Sequence, residues 1–256
     1  MLIYQVINGL KTDWSGALLM LLALVLTIVP AIMFHELAHG YAAYLNGDLT
    51  AKYAGRLTLD PLKHFDILGT IMMLVAGFGW AKPVPIDSRN FRDYKKGMLT
   101  TSLAGVTANL IMAIVAFAAL CALTAVFTST GTLVSMAGGV GVHTQPAAVY
   151  NAYRFFYYWC TYGVTINMTL LLFNLIPLYP LDGFRVVETL AKPDNAFVRF
   201  NYRYGNFLLI GVILVFSVFG YVASYIGVDL DIFSQWQGLF IRLINIVQEA
   251  IVGGAA

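Results

Sequence analysis

Long apolar stretches separated by short polar, basic or proline-containing breaks organise this chain. Residues 16–45 are almost continuously apolar, interrupted only by Pro30. They predict one helix of about 45 Å at 1.5 Å per residue, kinked where the proline removes a backbone donor. Asn46-Gly47-Asp48 ends it. Residues 52–59 alternate apolar and polar side chains well enough for a strand or hairpin arm. Residues 65–80 are apolar but marginal in length for a span, so a re-entrant or half-buried helix is as good a reading. Pro83 and Pro85 make residues 81–87 extended. Further spans are predicted over 97–128, 153–176 and 207–226. Pro177 and Pro180 break the chain before Asp182-Gly183. In a last helix, over about 233–251, Trp236, Leu239, Phe240, Leu243 and Val247 share one face, which suits an interfacial or bundle-packing role.

Composition turns these spans into a class. Of 256 residues, 59% are hydrophobic and 11% charged, with a mean hydropathy of +0.76. Soluble domains carry about 25% charged residues. The expected fold is therefore an all-α polytopic membrane protein. It is a bundle of about five to six helices, including one re-entrant or short helix, with small cytoplasmic-side β-hairpin or extended segments. The expected organisation is a single membrane-embedded domain over 1–256. A net charge of +2 gives no reason to expect nucleic acid. Cys121 and Cys160 are isolated in apolar stretches and read as packing residues. The N-terminus lacks the basic region and cleavage site of a signal peptide, so the first helix is expected to persist in the mature protein.

Lys and Arg supply the topology. They concentrate in 52–63, 82–96 and 185–203 and are absent from 129–150. The positive-inside rule puts the first three regions in the cytoplasm and the last outside, with the N-terminus outside. Residues 65–80 must then enter and leave on the same side.

Within the first span lies His35-Glu36-Leu37-Ala38-His39. Positions i and i+4 share a helix face, so both imidazoles can hold one zinc ion. The intervening Glu36 can serve as general base toward water. His35 falls about 15 Å from the cytoplasmic end of its helix. Ionisable groups at that depth are costly and point to function; the alternative is a buried His/Glu hydrogen-bond network. A catalytic zinc needs a third protein ligand, usually His or a carboxylate. His143 lies in the outside loop, on the wrong face. His64 is cytoplasmic and within possible approach. Asp182 follows the proline-broken turn at the depth of the His pair, where it could be a ligand or a helix N-cap.

These segments together resemble the site-2 protease family of intramembrane metalloproteases. The resemblance rests on His35-Glu36-Leu37-Ala38-His39-Gly40 and on Asn174-Leu175-Ile176-Pro177-Leu178-Tyr179-Pro180-Leu181-Asp182-Gly183. Gly79-Trp80-Ala81-Lys82-Pro83-Val84-Pro85 is similar to the compact prokaryotic branch without PDZ or CBS domains. The resemblance implies zinc on His35, His39 and Asp182, with Glu36 catalytic. It also implies a middle-helix Gly-x-x-x-Asn pattern, matched by Gly105 to Asn109, with Val106 where the family often has proline. Asn109 and Asn174 would then face the site, either as oxyanion donors or as ordinary interhelical hydrogen-bonding residues. The implied activity is zinc-dependent hydrolysis of peptide bonds in or near transmembrane segments of membrane protein substrates. The implied partners are those substrates and the lipid bilayer, and the implied location is a prokaryotic inner membrane. A substrate helix must unwind before attack, and residues 53–59 and 81–87 are candidate edges for holding it extended. The rival readings are a membrane zinc-binding or transport protein and a pseudoprotease; Glu36 argues against the first and the intact ligand set against the second.

Overall fold

The computed structural model describes residues 11, 13–66, 68–69, 81–136, 139–142, 146–225 and 232–254. Most of the expected re-entrant stretch, and His143, lie outside these residues. The elements in chain order are α1 (Trp14–Leu45), α2 (Thr50–Tyr53), α3 (Tyr94–Ser129), β1 (Leu133–Met136), β2 (Gly139–Val142), α4 (Ala147–Asn174), α5 (Asp182–Leu190), α6 (Ala196–Tyr225) and α7 (Ile232–Gly253). Among the described residues, α1 and α3 are long and apolar enough to cross a membrane. Helices α4 and α6 are 28 and 30 residues long, also sufficient by length.

Each long helix begins and ends for a local reason. Asp13 Oδ1 accepts the Gly16 N–H at 3.0 Å and caps α1. The α1 C-terminus turns back at Gly47, whose φ of +110° suits glycine, and the Asp48 N–H reaches the Ala43 carbonyl at 3.0 Å. Asp93 Oδ1 accepts the Lys96 N–H at 3.0 Å and caps α3. Pro30 stays inside α1 without ending it. The Leu26 carbonyl, deprived of its helical donor, has the Trp159 Nε1–H 3.5 Å away, a long contact from α4.

Helix α3 is the centre of the bundle. It packs on α1, α4, α5 and α7, while α1 and α4 also pack on each other. Leu120, Cys160, Val164 and Ile244 form one core cluster and Leu133, Tyr153 and Val252 another. Outward faces stay apolar: Leu18, Leu22 and Val25 on α1, and Ile111, Ile114 and Val115 on α3, are exposed, as lipid contact requires. Basic segments gather at one end, where Tyr94, Lys192, Arg199 and Tyr202 line a common depression. The other end is tied by the Asp13–Arg154 ion pair.

Two expectations change. The strand or hairpin arm over 52–59 is instead the single turn α2 followed by a bend at Gly55, φ +64°. The carboxylate of Asp48 receives the Thr50 N–H and hydroxyl, and the Arg56 N–H bonds the Ala51 carbonyl at 2.9 Å, closing a turn where alternation alone suggested extension. The only hairpin among the described residues, β1–β2, sits in the opposite loop, pairing Leu133 with Val142 through Met136 with Gly139. At the basic end of the bundle the extended element is 81–87, joined to the rest by an antiparallel bridge between Phe65 and Ala81. In α7 the buried stripe is Ile244, Gln248 and Val252, with Phe240 packed beside it; Leu239 and Leu243 face outward. The apolar face read from the sequence is thus packed on the bundle at Phe240 and exposed at Leu239 and Leu243, as an interfacial or bundle-packing helix allows.

Candidate metal centre

His35 and His39 project from α1 toward α3, and both are buried. Their Nε2 atoms are 3.0 Å apart. Oδ2 of Asp182, at the start of α5, lies 3.3 Å from His35 Nε2 and 3.2 Å from His39 Nε2. Asp182 does not cap its helix: the N-cap residue is Leu181, without a side-chain cap bond.

The second nitrogen of each imidazole identifies the tautomer. His39 Nδ1 is 2.7 Å from the Thr101 carbonyl, and His35 Nδ1 is 2.6 Å from Asn109 Oδ1. Both partners are acceptors, so each Nδ1 carries the proton and each Nε2 turns a lone pair inward. Two lone pairs and a carboxylate oxygen thus face one another, and Asp182 Oδ2 has no hydrogen-bond donor among the described residues. A cation satisfies all three. Zinc bonds of 2.0–2.1 Å in a tetrahedron place neighbouring ligand atoms about 3.3 Å apart, close to the separations here. The donor set therefore fits zinc, with backbone carbonyl and carboxamide groups holding the imidazoles from behind.

Three further features keep this geometry. A Cβ on Gly105 of α3 would lie 2.4 Å from His39 Nε2 and 2.7 Å from His35 Nε2, so the glycine leaves room for the ligands themselves. A Cβ on Gly183 would lie 2.3 Å from the Leu175 carbonyl oxygen, so this glycine lets α5 begin against the end of α4 and carries Asp182 inward. The broken backbone between them is satisfied by buried Asn201 of α6, whose Oδ1 accepts the Tyr179 N–H at 3.3 Å.

Glu36 is not one of the three donors, and its Oε2 accepts the Val84 N–H at 2.9 Å. The carboxamide of Asn109 is committed at both ends, since its nitrogen also donates to Asn167 Oδ1 at 2.8 Å and Asn167 donates to the Gly163 carbonyl at 2.8 Å. That bonding is the interhelical one of the two readings, and it orients the His35 imidazole. Asn174 Nδ2 donates to the Leu170 carbonyl at 3.0 Å within its own helix. His64 is fully buried away from the cluster, with Nε2 2.9 Å from the Thr58 carbonyl. Sequence reading missed Asn167, although an amide within the apolar span 153–176 was a usable signal. It could not have found the Thr101 carbonyl, which any residue supplies.

Residues 22–216 match the family described as Peptidase family M50. The chain is 41% identical over 170 residues to the putative zinc metalloprotease YwhC of Bacillus subtilis, covering 66% of this chain and 69% of that protein. It is 25% identical over 191 residues to the putative zinc metalloprotease Rip2 of Mycolicibacterium smegmatis, covering 72% of this chain and 63% of that protein. No solved structure matches the chain. With the match extending over most of its length and taking in both halves of the metal centre, the chain belongs to peptidase family M50, the site-2 protease family of membrane-embedded zinc metalloproteases.

Proposed function

We propose that this chain is an intramembrane endopeptidase that hydrolyses peptide bonds in or near transmembrane segments of membrane protein substrates. It works as one membrane-embedded domain in a prokaryotic inner membrane. The observation that carries the reading is the position of the three-donor cluster, on a helix whose outer face is apolar, with His35 about 15 Å from that helix's C-terminal end.

In this mechanism His35, His39 and Asp182 would hold the zinc, which would supply Lewis acidity, lowering the pKa of water to about 7 and polarising a carbonyl oxygen. Glu36, on the turn between the two imidazoles, accepts a proton from the attacking water and returns it to the leaving amine nitrogen. Asn109 keeps the His35 Nδ1–H oriented, and Thr101 does the same for His39, so both Nε2 lone pairs stay directed inward. Asn174 stands at the end of α4, beside the turn that carries Asp182, and is a candidate donor to the oxyanion once substrate displaces its bond to Leu170.

The test is cleavage of a single-span substrate co-reconstituted in liposomes. Cleavage is expected with zinc, is abolished by chelator, and is lost in Glu36→Gln at undiminished zinc content. Full cleavage by Glu36→Gln rules out Glu36 as the base; zinc binding without cleavage of any membrane-spanning substrate rules out the activity.

A further inference from the structure

The extended segment 81–87 has an unusual allocation of backbone groups. The Lys82 N–H donates to the His64 carbonyl at 2.9 Å. The Lys82 and Pro83 carbonyls accept from Arg56 Nη2 and Nη1 at 2.7 and 3.2 Å. At the far end the Asp87 N–H donates to Asp48 Oδ2 at 2.8 Å. Pro83 and Pro85 have no N–H at all. From 83 to 85 the chain therefore owns one donor, that of Val84, and it goes to Glu36 Oε2 at 2.9 Å. The Val84 side chain is buried, with Cγ1 3.0 Å from where a Cβ on Gly40 would be, one helical turn beyond Glu36.

We infer that the Val84 amide is a positioning group for Glu36, held in register by Arg56. The inference rests on Glu36 being the general base. Glutamate has three side-chain torsions, and a base must meet its proton within hydrogen-bond reach. Fixing Oε2 from a strap pinned at both ends removes most of that freedom, and Oε1, which takes no hydrogen bond among the described residues, stays available to accept the proton. The flanking prolines exclude competing donors and stiffen the segment. Arg56 explains itself in the same way: a buried guanidinium engages two carbonyls of the strap, where the rigid fork sets two points of backbone at once.

Two measurements test this. Among residues 83–85 only Val84 has an exchangeable amide, so hydrogen exchange there reports a single bond. In the zinc-loaded protein, Glu36→Ala and Arg56→Ala should each speed that exchange at least about tenfold, with zinc content unchanged. In the liposome assay, kcat of Val84→Pro, which lacks the donor, should fall about 100-fold below that of Val84→Ala, which keeps it, at similar KM and zinc content. Should Val84→Pro fail to fold, Arg56→Ala is expected to lower kcat at constant KM, with partial recovery in Arg56→Lys. Unchanged Val84 exchange in Glu36→Ala overturns the inference, as does a kcat in Val84→Pro equal to or above that of Val84→Ala. A failure of the general-base reading looks different: Glu36→Gln cleaves, whatever the exchange result.

Discussion

Gly105→Ala is the most discriminating single change. The added methyl group would sit 2.4 Å from His39 Nε2, 2.6 Å from His35 Cε1 and 2.7 Å from His35 Nε2. Ordinary contact begins near 3.4 Å, so the imidazoles or α3 must give way by about 1 Å. Metal–ligand distances tolerate only about ±0.2 Å. The displacement is several times that tolerance, and a misplacement of about 1 Å at a reacting centre can cost about 100-fold in rate. Zinc affinity is expected to fall by at least about 100-fold, and cleavage with it. Helix propensity works the other way, favouring alanine over glycine by roughly 1 kcal/mol in a helix interior. The same overpacking acts without zinc at a cost of about 1–3 kcal/mol, so the apoprotein should melt only modestly below wild type while the stabilisation by added zinc is lost, which separates a site effect from a folding effect. Gly211→Ala is the control, because a Cβ there meets nothing within 4 Å. The assay is zinc affinity by competition with a chelator, followed by cleavage and thermal melting in detergent. Wild-type zinc affinity and cleavage in Gly105→Ala would refute the assignment of this cluster as the metal centre.

Other outcomes follow from the same geometry. Asp182→Ala removes the third donor and should abolish stable zinc binding in a metal-content measurement, whereas a helix-capping role would lower only the melting temperature. Asn109→Ala frees the His35 Nδ1–H and also deprives Asn167 of its partner; zinc affinity should drop about 10- to 100-fold by chelator competition. Asp48, fully buried in the loop beyond α1, gives the pH dependence. Burial alone would push its carboxyl up, but hydrogen bonds from Thr50, Asn90 and the Asp87 amide outweigh it and hold the pKa below the ordinary 3.8. A depressed carboxyl stabilises the fold at pH above its unfolded value, and that contribution disappears as pH falls through the folded one. Asp48→Asn should therefore destabilise the protein by about 2 kcal/mol at pH 7. The gap to wild type should begin to shrink below about pH 4 and close as pH falls through the folded pKa, as read by melting curves across that range.

The sequence by itself determined the parts of this protein governed by local rules. Apolar length specified membrane-spanning helices, because lipid offers the backbone no partner. The spacing of His35 and His39 specified a shared metal face, because 3.6 residues make a turn. Pro177 and Pro180 marked the break that brings Asp182 inward. The tertiary structure decided what depends on contacts between distant segments. Whether Asp182 faced the histidines or capped its helix depended on α5 packing against α3 and, at Gly183, against the Leu175–Ile176 backbone that follows α4, a fit no local preference encodes. Asn109 was visible as an intramembrane amide, but its task depended on which polar atoms α1 and α4 set beside it. Residues 52–59 alternate like a strand, yet Asp48 and Gly55 close them into a turn. Gly105 could be read as permitting close helix approach, but only the packed bundle puts two imidazoles in the space its missing Cβ leaves. Periodicity and lipid solvation act within one segment, whereas side-chain direction across a helix interface is settled only when the interface forms.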